Sequence, residues 1–173
     1  MHATSFSTAL LSALREDPDV ILVGELRDLE TMSIAVTTAE MGILVMSTLH
    51  TNGAAATVDR LVNAFPADKQ PHVRTMLSTS LRGVVSQQLI PKPDKNGRVA
   101  ALEILINTPA VANLIRQGKM DQLENAMQSG AATGMRLMDM AIQTLLESKQ
   151  ITGHEAFKKA INKSKFEQYR EAS

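Results

Sequence analysis

Two polar clusters close two short apolar runs. Val20-Ile21-Leu22-Val23 leads into Gly24-Glu25-Leu26-Arg27-Asp28, and Ile43-Leu44-Val45-Met46 leads into Ser47-Thr48-Leu49-His50-Thr51. A carboxylate at Glu25 can orient a water or hold a Mg²⁺-bound water, as phosphoryl transfer to water requires. An imidazole at His50, with Thr48 and Thr51 beside it, can hydrogen-bond a terminal phosphate and report its presence. Both residues also have plainer readings: Glu25 as a capping or surface acid at a strand end, His50 as a surface histidine. Periodicity alone does not choose between them. Asp28 suits a helix N-cap, which needs only a short side-chain acceptor. Arg27 stays open, and Glu30 reads as a solvated charge. His2, His72 and His154 show no ligand spacing with another histidine or acid pair, so no metal site is expected.

The elements around these clusters set their positions. Each apolar run is too short for a helix, and the segment between them carries a one-sided stripe of Met32, Ala35, Val36 and Ala39 closed by Gly42. That pattern predicts a βαβ unit, with parallel strands at 20–24 and 43–48 presenting Glu25 and His50 at one edge. The first strand is expected to be buried. Ligands bind at the carboxyl edge of such sheets. Asp28 and Asn52 are placed to cap the helices that follow, whose N-termini favour anions. This is half of a nucleotide-type site. No Gly-x-x-x-x-Gly-Lys-Ser/Thr phosphate loop occurs among these residues.

The rest of the chain frames that unit. Thr4 or Ser5 can cap a first helix bearing Phe6, Leu10, Ala13 and Leu14, stopped at Asp17-Pro18-Asp19. A third helix turns Val58, Leu61 and Val62 inward, and a fourth covers 68–79. Residues 84–90 and 99–106 read as antiparallel strands joined through Asn96-Gly97, with Ala100, Leu102, Ile104 and Ile106 on one face. Thr108-Pro109 opens a short helix. Its Val111, Leu114 and Ile115 are apolar, while Asn113 and Arg116 form either a solvated face or a docking surface. Met138, Ala141, Ile142 and Leu145 make a further stripe, Ile151, Phe157 and Ile161 a last one, and Met135, Met138 and Met140 read as core filler. A composition shift at residue 107 divides the chain into 1–107 and 108–173.

Bulk properties narrow the function. The 173 residues carry 18 basic and 18 acidic side chains, so no net field draws nucleic acid or an acidic membrane. Aromatics are 3%, too few for base-stacking platforms. The absence of cysteine removes thiol catalysis and cysteine-ligated zinc. Apolar runs reach about four residues, against the roughly 20 that span a bilayer. The start, Met1-His2-Ala3-Thr4-Ser5, is not a signal peptide and reads as the cut edge of a longer protein.

Three segments together resemble one family. Asp17 through Asp28 is similar to the Walker B segment of PilT-type retraction ATPases of type IV pili, within the hexameric secretion ATPase superfamily. In it Gly24 stands where other P-loop enzymes carry aspartate. Ala39-Glu40-Met41-Gly42 through Thr48-Leu49-His50-Thr51 resembles the family's histidine box, with Met41-Gly42-Ile43 in place of its usual Thr-Gly-His. Ala110-Val111-Ala112-Asn113-Leu114-Ile115-Arg116 resembles its Ala-Ile-Arg-Asn-Leu-Ile-Arg motif, with Ala112 replacing the first arginine.

The likeness covers nearly the whole chain. It implies an α/β fold: part of a RecA-like P-loop NTPase core, a parallel βαβ plus an antiparallel strand pair, followed by a C-terminal helical subdomain. It implies that Glu25 activates water. Gly24, Arg27, Asp28, Thr48, His50 and Thr51 would sense nucleotide and Mg²⁺, and Asn113, Leu114, Ile115 and Arg116 would meet a partner. ATP and Mg²⁺ are the implied cofactors. The implied partners are a homo-hexamer and an inner-membrane pilus platform protein, in the cytoplasm at the inner membrane. The implied work is pilus retraction and twitching motility. The alternatives are an assembly ATPase of a pilus or type II secretion system, or a non-catalytic oligomerisation or docking module. Assembly relatives carry a four-cysteine zinc insertion, whereas here Gln87-Gln88-Leu89-Ile90 runs straight into Pro91-Lys92-Pro93.

Overall fold

A computed structural model describes residues 5–170. Thr4, His2 and the side chain of Phe6 lie outside what it describes. Ser5 caps α1 (Phe6–Ala13), its hydroxyl accepting from the Thr8 amide at 3.1 Å. The helix tightens into a 3₁₀ turn at Leu14–Glu16 and stops at Asp17, whose φ of 52° is left-handed. Strand β1 (Val20–Val23), helix α2 (Leu29–Glu40) and strand β2 (Leu44–Ser47) form the expected βαβ unit. The strands are parallel, in register from Val20↔Leu44 to Val23↔Ser47. Gly42 turns the chain out of α2 at a φ of 100°, which only glycine adopts cheaply.

The residues group into two compact units. The first comprises 1–51, 55–82 and 107–123. In it α2 packs against α1 and against α4 (Gln70–Ser80), and α4 also holds α5 (Pro109–Gln117). Its core includes Leu10, Ile21, Val23, Met32, Val36, Leu77, Val111 and Ile115, together with Val58, Leu61 and Val62 from α3 (Ala54–Asn63). The expected burial of β1 is corrected here. Ile21 and Val23 are buried, but Leu22 is 74% exposed, and Val20, Leu44 and Met46 are exposed beside it. An apolar run that reads as buried on both faces has only one face covered among the described residues.

The second unit comprises 52–54, 83–106 and 124–173. Strands β3 (Gly83–Pro91) and β4 (Arg98–Ile106) pair antiparallel, from Gly83↔Ile106 to Pro91↔Arg98. Helix α6 (Leu123–Ser129) leads in, α7 (Met138–Glu147) packs on β4, and α8 (Gly153–Lys159) packs on β3 and α7. Ile90, Ala101, Met138, Ile142, Ile151, Ala156 and Phe166 form the core. Ala100, Leu102, Ile104 and Ile106 share one face of β4 as expected, and the buried face is the other, Ala101, Glu103 and Leu105. Alternation fixes two faces but not which one is covered. Two expectations change: Met140, read as core filler, is 45% exposed, and Ile161 is 63% exposed while Phe166 fills the core. The units interleave along the chain, each drawing segments from both sides of residue 107.

Candidate functional site

The site is built at the carboxyl ends of β1 and β2. Two backbone-level contacts lock the loops that leave them. The Leu26 amide donates to the Thr48 carbonyl at 3.1 Å, and the Thr48 hydroxyl donates to the Gly24 carbonyl. With the loops joined, Glu25 Oε1 lies 2.9 Å from His50 Nε2 and Glu25 Oε2 lies 2.6 Å from Arg27 Nε. The Glu25 side chain is only 19% exposed, while Arg27 and His50 are 70% and 88% exposed. One shielded carboxylate therefore stands between two donors that reach into solvent. Arg27, which the sequence left open, is fixed on Glu25 by this geometry.

Neighbouring residues stabilise the frame. Asp28 caps α2, its carboxylate accepting from the Thr31 amide at 2.8 Å and the Thr31 hydroxyl at 2.9 Å. Those bonds, the amide's first, hold the Asp28 carboxyl below the usual aspartate range. With both its oxygens engaged in the cap, Asp28 is best explained by the cap. The Thr51 hydroxyl lies 2.8 Å from that of Thr57 in α3. A Cβ on Gly24 would meet nothing within 4 Å, so no steric constraint requires glycine there.

Asn52 makes no capping bond to α3, contrary to expectation. The Ala54 amide that begins α3 donates instead to Glu103 Oε1 at 2.8 Å, and the Gly53 amide to Ser86 Oγ at 3.0 Å. Sequence reasoning passed over Glu103. The available signal was a lone acid between Leu102 and Ile104 in an otherwise apolar strand.

The short helix α5 lies apart from this edge. Thr108 caps it and Gly118, at a φ of 71°, ends it. Val111 and Ile115 are fully buried, Leu114 is half-buried, and Asn113 and Arg116 are exposed. Arg116 Nε donates to Ser78 Oγ at 3.3 Å, and Gln117 Nε2 donates to Asn113 Oδ1 at 3.2 Å.

The set combines two exposed cationic or donor side chains with one shielded carboxylate. Arg27 and His50 offer N–H groups to an anion, and Glu25 offers an acceptor for water. No group of three or more potential metal-ligating side chains gathers among the described residues. No helix of the described residues is long and apolar enough to cross a membrane.

Comparison with known proteins places the chain among relatives. The chain is 55% identical over 161 residues to the twitching motility protein of Neisseria gonorrhoeae, covering 93% of this chain and 43% of that one. It is 54% identical over 155 residues to the type IV pilus retractation ATPase PilT of Pseudomonas aeruginosa, covering 90% and 45%. A crystal structure of the pilus retraction motor PilT with bound ADP superimposes with a TM-score of 0.87 at 43% identity, covering 96% of this chain and 46% of that one. The chain thus spans less than half the length of the relatives it matches. The family model for Type II/IV secretion system protein matches residues 2–172, and the chain belongs to that family.

Proposed function

We propose that this chain is the C-terminal part of a motor ATPase that retracts type IV pili and drives twitching motility. In this reading Glu25 activates the attacking water and His50 senses the terminal phosphate. The observation that supports it most is the 2.9 Å contact between Glu25 Oε1 and His50 Nε2 at one strand edge. Bound ATP with Mg²⁺ would supply the phosphoryl group and its charge neutralisation.

The chain's own residues do the rest. Both Glu25 oxygens are engaged, Oε1 by His50 and Oε2 by Arg27. One donor on each oxygen orients the carboxylate and leaves lone pairs free to take a proton from water as a general base. The exposed His50 imidazole can reach from Oε1 towards a phosphate oxygen, which sets the carboxylate beside that phosphate. Water activation is thereby placed at the phosphate. Gly24 and Thr48 hold the two loops in register for that contact, and Arg27 keeps Oε2 oriented. Asp28 and Thr51 secure the starts of the following helices. The face bearing Asn113 and Arg116, with Leu114 and Ile115 seating the helix, would transmit motion to a neighbouring subunit of a homo-hexamer or to an inner-membrane pilus platform protein from the cytoplasm.

The test uses the full-length protein and a strain lacking its gene. Mg²⁺-dependent ATP hydrolysis is expected from the full-length protein and none from the isolated 173 residues, which contain no phosphate loop. Cells complemented with His50→Ala are expected to carry pili but not to twitch. Bare cells would transfer the reading to pilus assembly. Full twitching without any ATP hydrolysis by the wild-type motor would end it.

A further inference from the structure

The middle of β3 and β4 carries two buried polar side chains directly opposite each other, Ser86 and Glu103. Their neighbours on the same strands include the apolar core residues Ile90 and Ala101. A buried polar group is costly unless it is fully hydrogen-bonded, and apolar residues would serve the core better. Here each polar side chain is bonded to the same short stretch of backbone. Ser86 Oγ accepts from the Gly53 amide at 3.0 Å and Glu103 Oε1 accepts from the Ala54 amide at 2.8 Å. Glu103 Oε2 accepts from the Met138 amide at 3.1 Å, at the start of α7. Gly53 adopts a φ of 96°, and a Cβ there would lie 3.5 Å from Glu103 Oε1, so the backbone comes close to the carboxylate. His50 lies three residues before Gly53.

We propose that Glu103 is a positioning residue for His50, with Ser86 as its assistant: the pair clamps consecutive amides at 53 and 54 and so fixes the loop that presents the imidazole to Glu25. The carboxylate suits this task because each of its oxygens serves a different helix start, where partial positive charge favours it. One residue thus ties the loop after His50 to the N-terminus of α7. The inference rests on the reading of Glu25 and His50 as the hydrolytic pair.

The test is a double-mutant cycle in the full-length motor. Glu103→Gln keeps the shape and one acceptor oxygen but cannot serve both amides. It is expected to lower kcat for ATP by about tenfold, the scale of losing one charge-assisted hydrogen bond, with KM changed by less than about twofold. Combined with His50→Ala it is expected to add almost nothing, because its effect passes through the imidazole. Hydrogen exchange in peptides spanning 52–57 is expected to accelerate. An equal further loss of kcat in the His50→Ala background would make Glu103 merely structural and overturn the proposal. So would an unchanged kcat in folded Glu103→Gln protein. If Glu103→Gln does not fold, Ser86→Ala, which removes only the Gly53 bond, carries the same cycle. Wild-type hydrolysis insensitive to both Glu25→Gln and His50→Ala refutes the underlying site reading. Sensitivity to those two with none to Glu103→Gln or Ser86→Ala refutes this inference alone.

Discussion

Replacing Glu25 by glutamine separates chemistry from structure. In the amide one oxygen becomes an NH₂ group, a donor where two donors are already aimed. Arg27 Nε at 2.6 Å can only donate, so the remaining oxygen turns towards it. The NH₂ then faces His50 Nε2 at 2.9 Å, and a neutral imidazole accepts there by changing tautomer. The local geometry is therefore retained. The stability change is on the scale of a partly exposed ion pair, about 0–1 kcal/mol. The kinetic change is larger, because an amide cannot take a proton from water. Losing a positioned general base lowers turnover by about 10²–10⁴-fold, or roughly 3–5 kcal/mol on the barrier. The assay is steady-state ATP hydrolysis by the full-length protein, with nucleotide affinity and thermal melting measured on the same preparation. Unchanged affinity and melting with turnover down at least a hundredfold is the expected result. Near-normal turnover would show that Glu25 only organises Arg27 and His50, and the water-activating role would be abandoned.

Asn113→Ala with Arg116→Ala removes two exposed side chains that, among the described residues, bond to Gln117 and Ser78. Melting is expected to shift by no more than about ±0.5 kcal/mol in stability, with ATP hydrolysis intact and surface twitching lost. A melting collapse would assign both residues to the fold instead. Ile142→Ala empties a fully buried site in the second unit's core. Denaturant unfolding should show about 2–5 kcal/mol of lost stability. The Asp28 cap should make stability pH-dependent in a defined direction. Its folded carboxyl titrates below the usual aspartate range, so its contribution is complete above that range and lost as pH falls through the lowered value. The stability difference between wild type and Asp28→Ala should be flat at neutral pH and shrink in acid.

Much of the site can be read in the sequence because it depends on local patterns. Short apolar runs broken by Gly42 and a helical stripe force a βαβ unit, and a parallel pair places both strand ends at one edge. That put Glu25 and His50 together before any distance was known. The caps Ser5, Asp28 and Thr108, and the glycine stops at Gly42 and Gly118, follow equally local rules. What depends on distant partners was hidden. Which face of β4 is covered depends on α7, so Glu103 rather than Leu102 or Ile104 turns inward. Asn52 looked like a cap because its type and position allow it, yet the amide at 54 found a carboxylate 49 residues away. Arg27 had no assignable role because its contact with Glu25, two residues away, depends on how the loop turns after β1, which no residue pattern specifies. Periodicity and turn chemistry specify elements and their edges through backbone geometry that neighbouring residues impose. Burial, register of the covered face and the pairing of charges are set only when those elements meet.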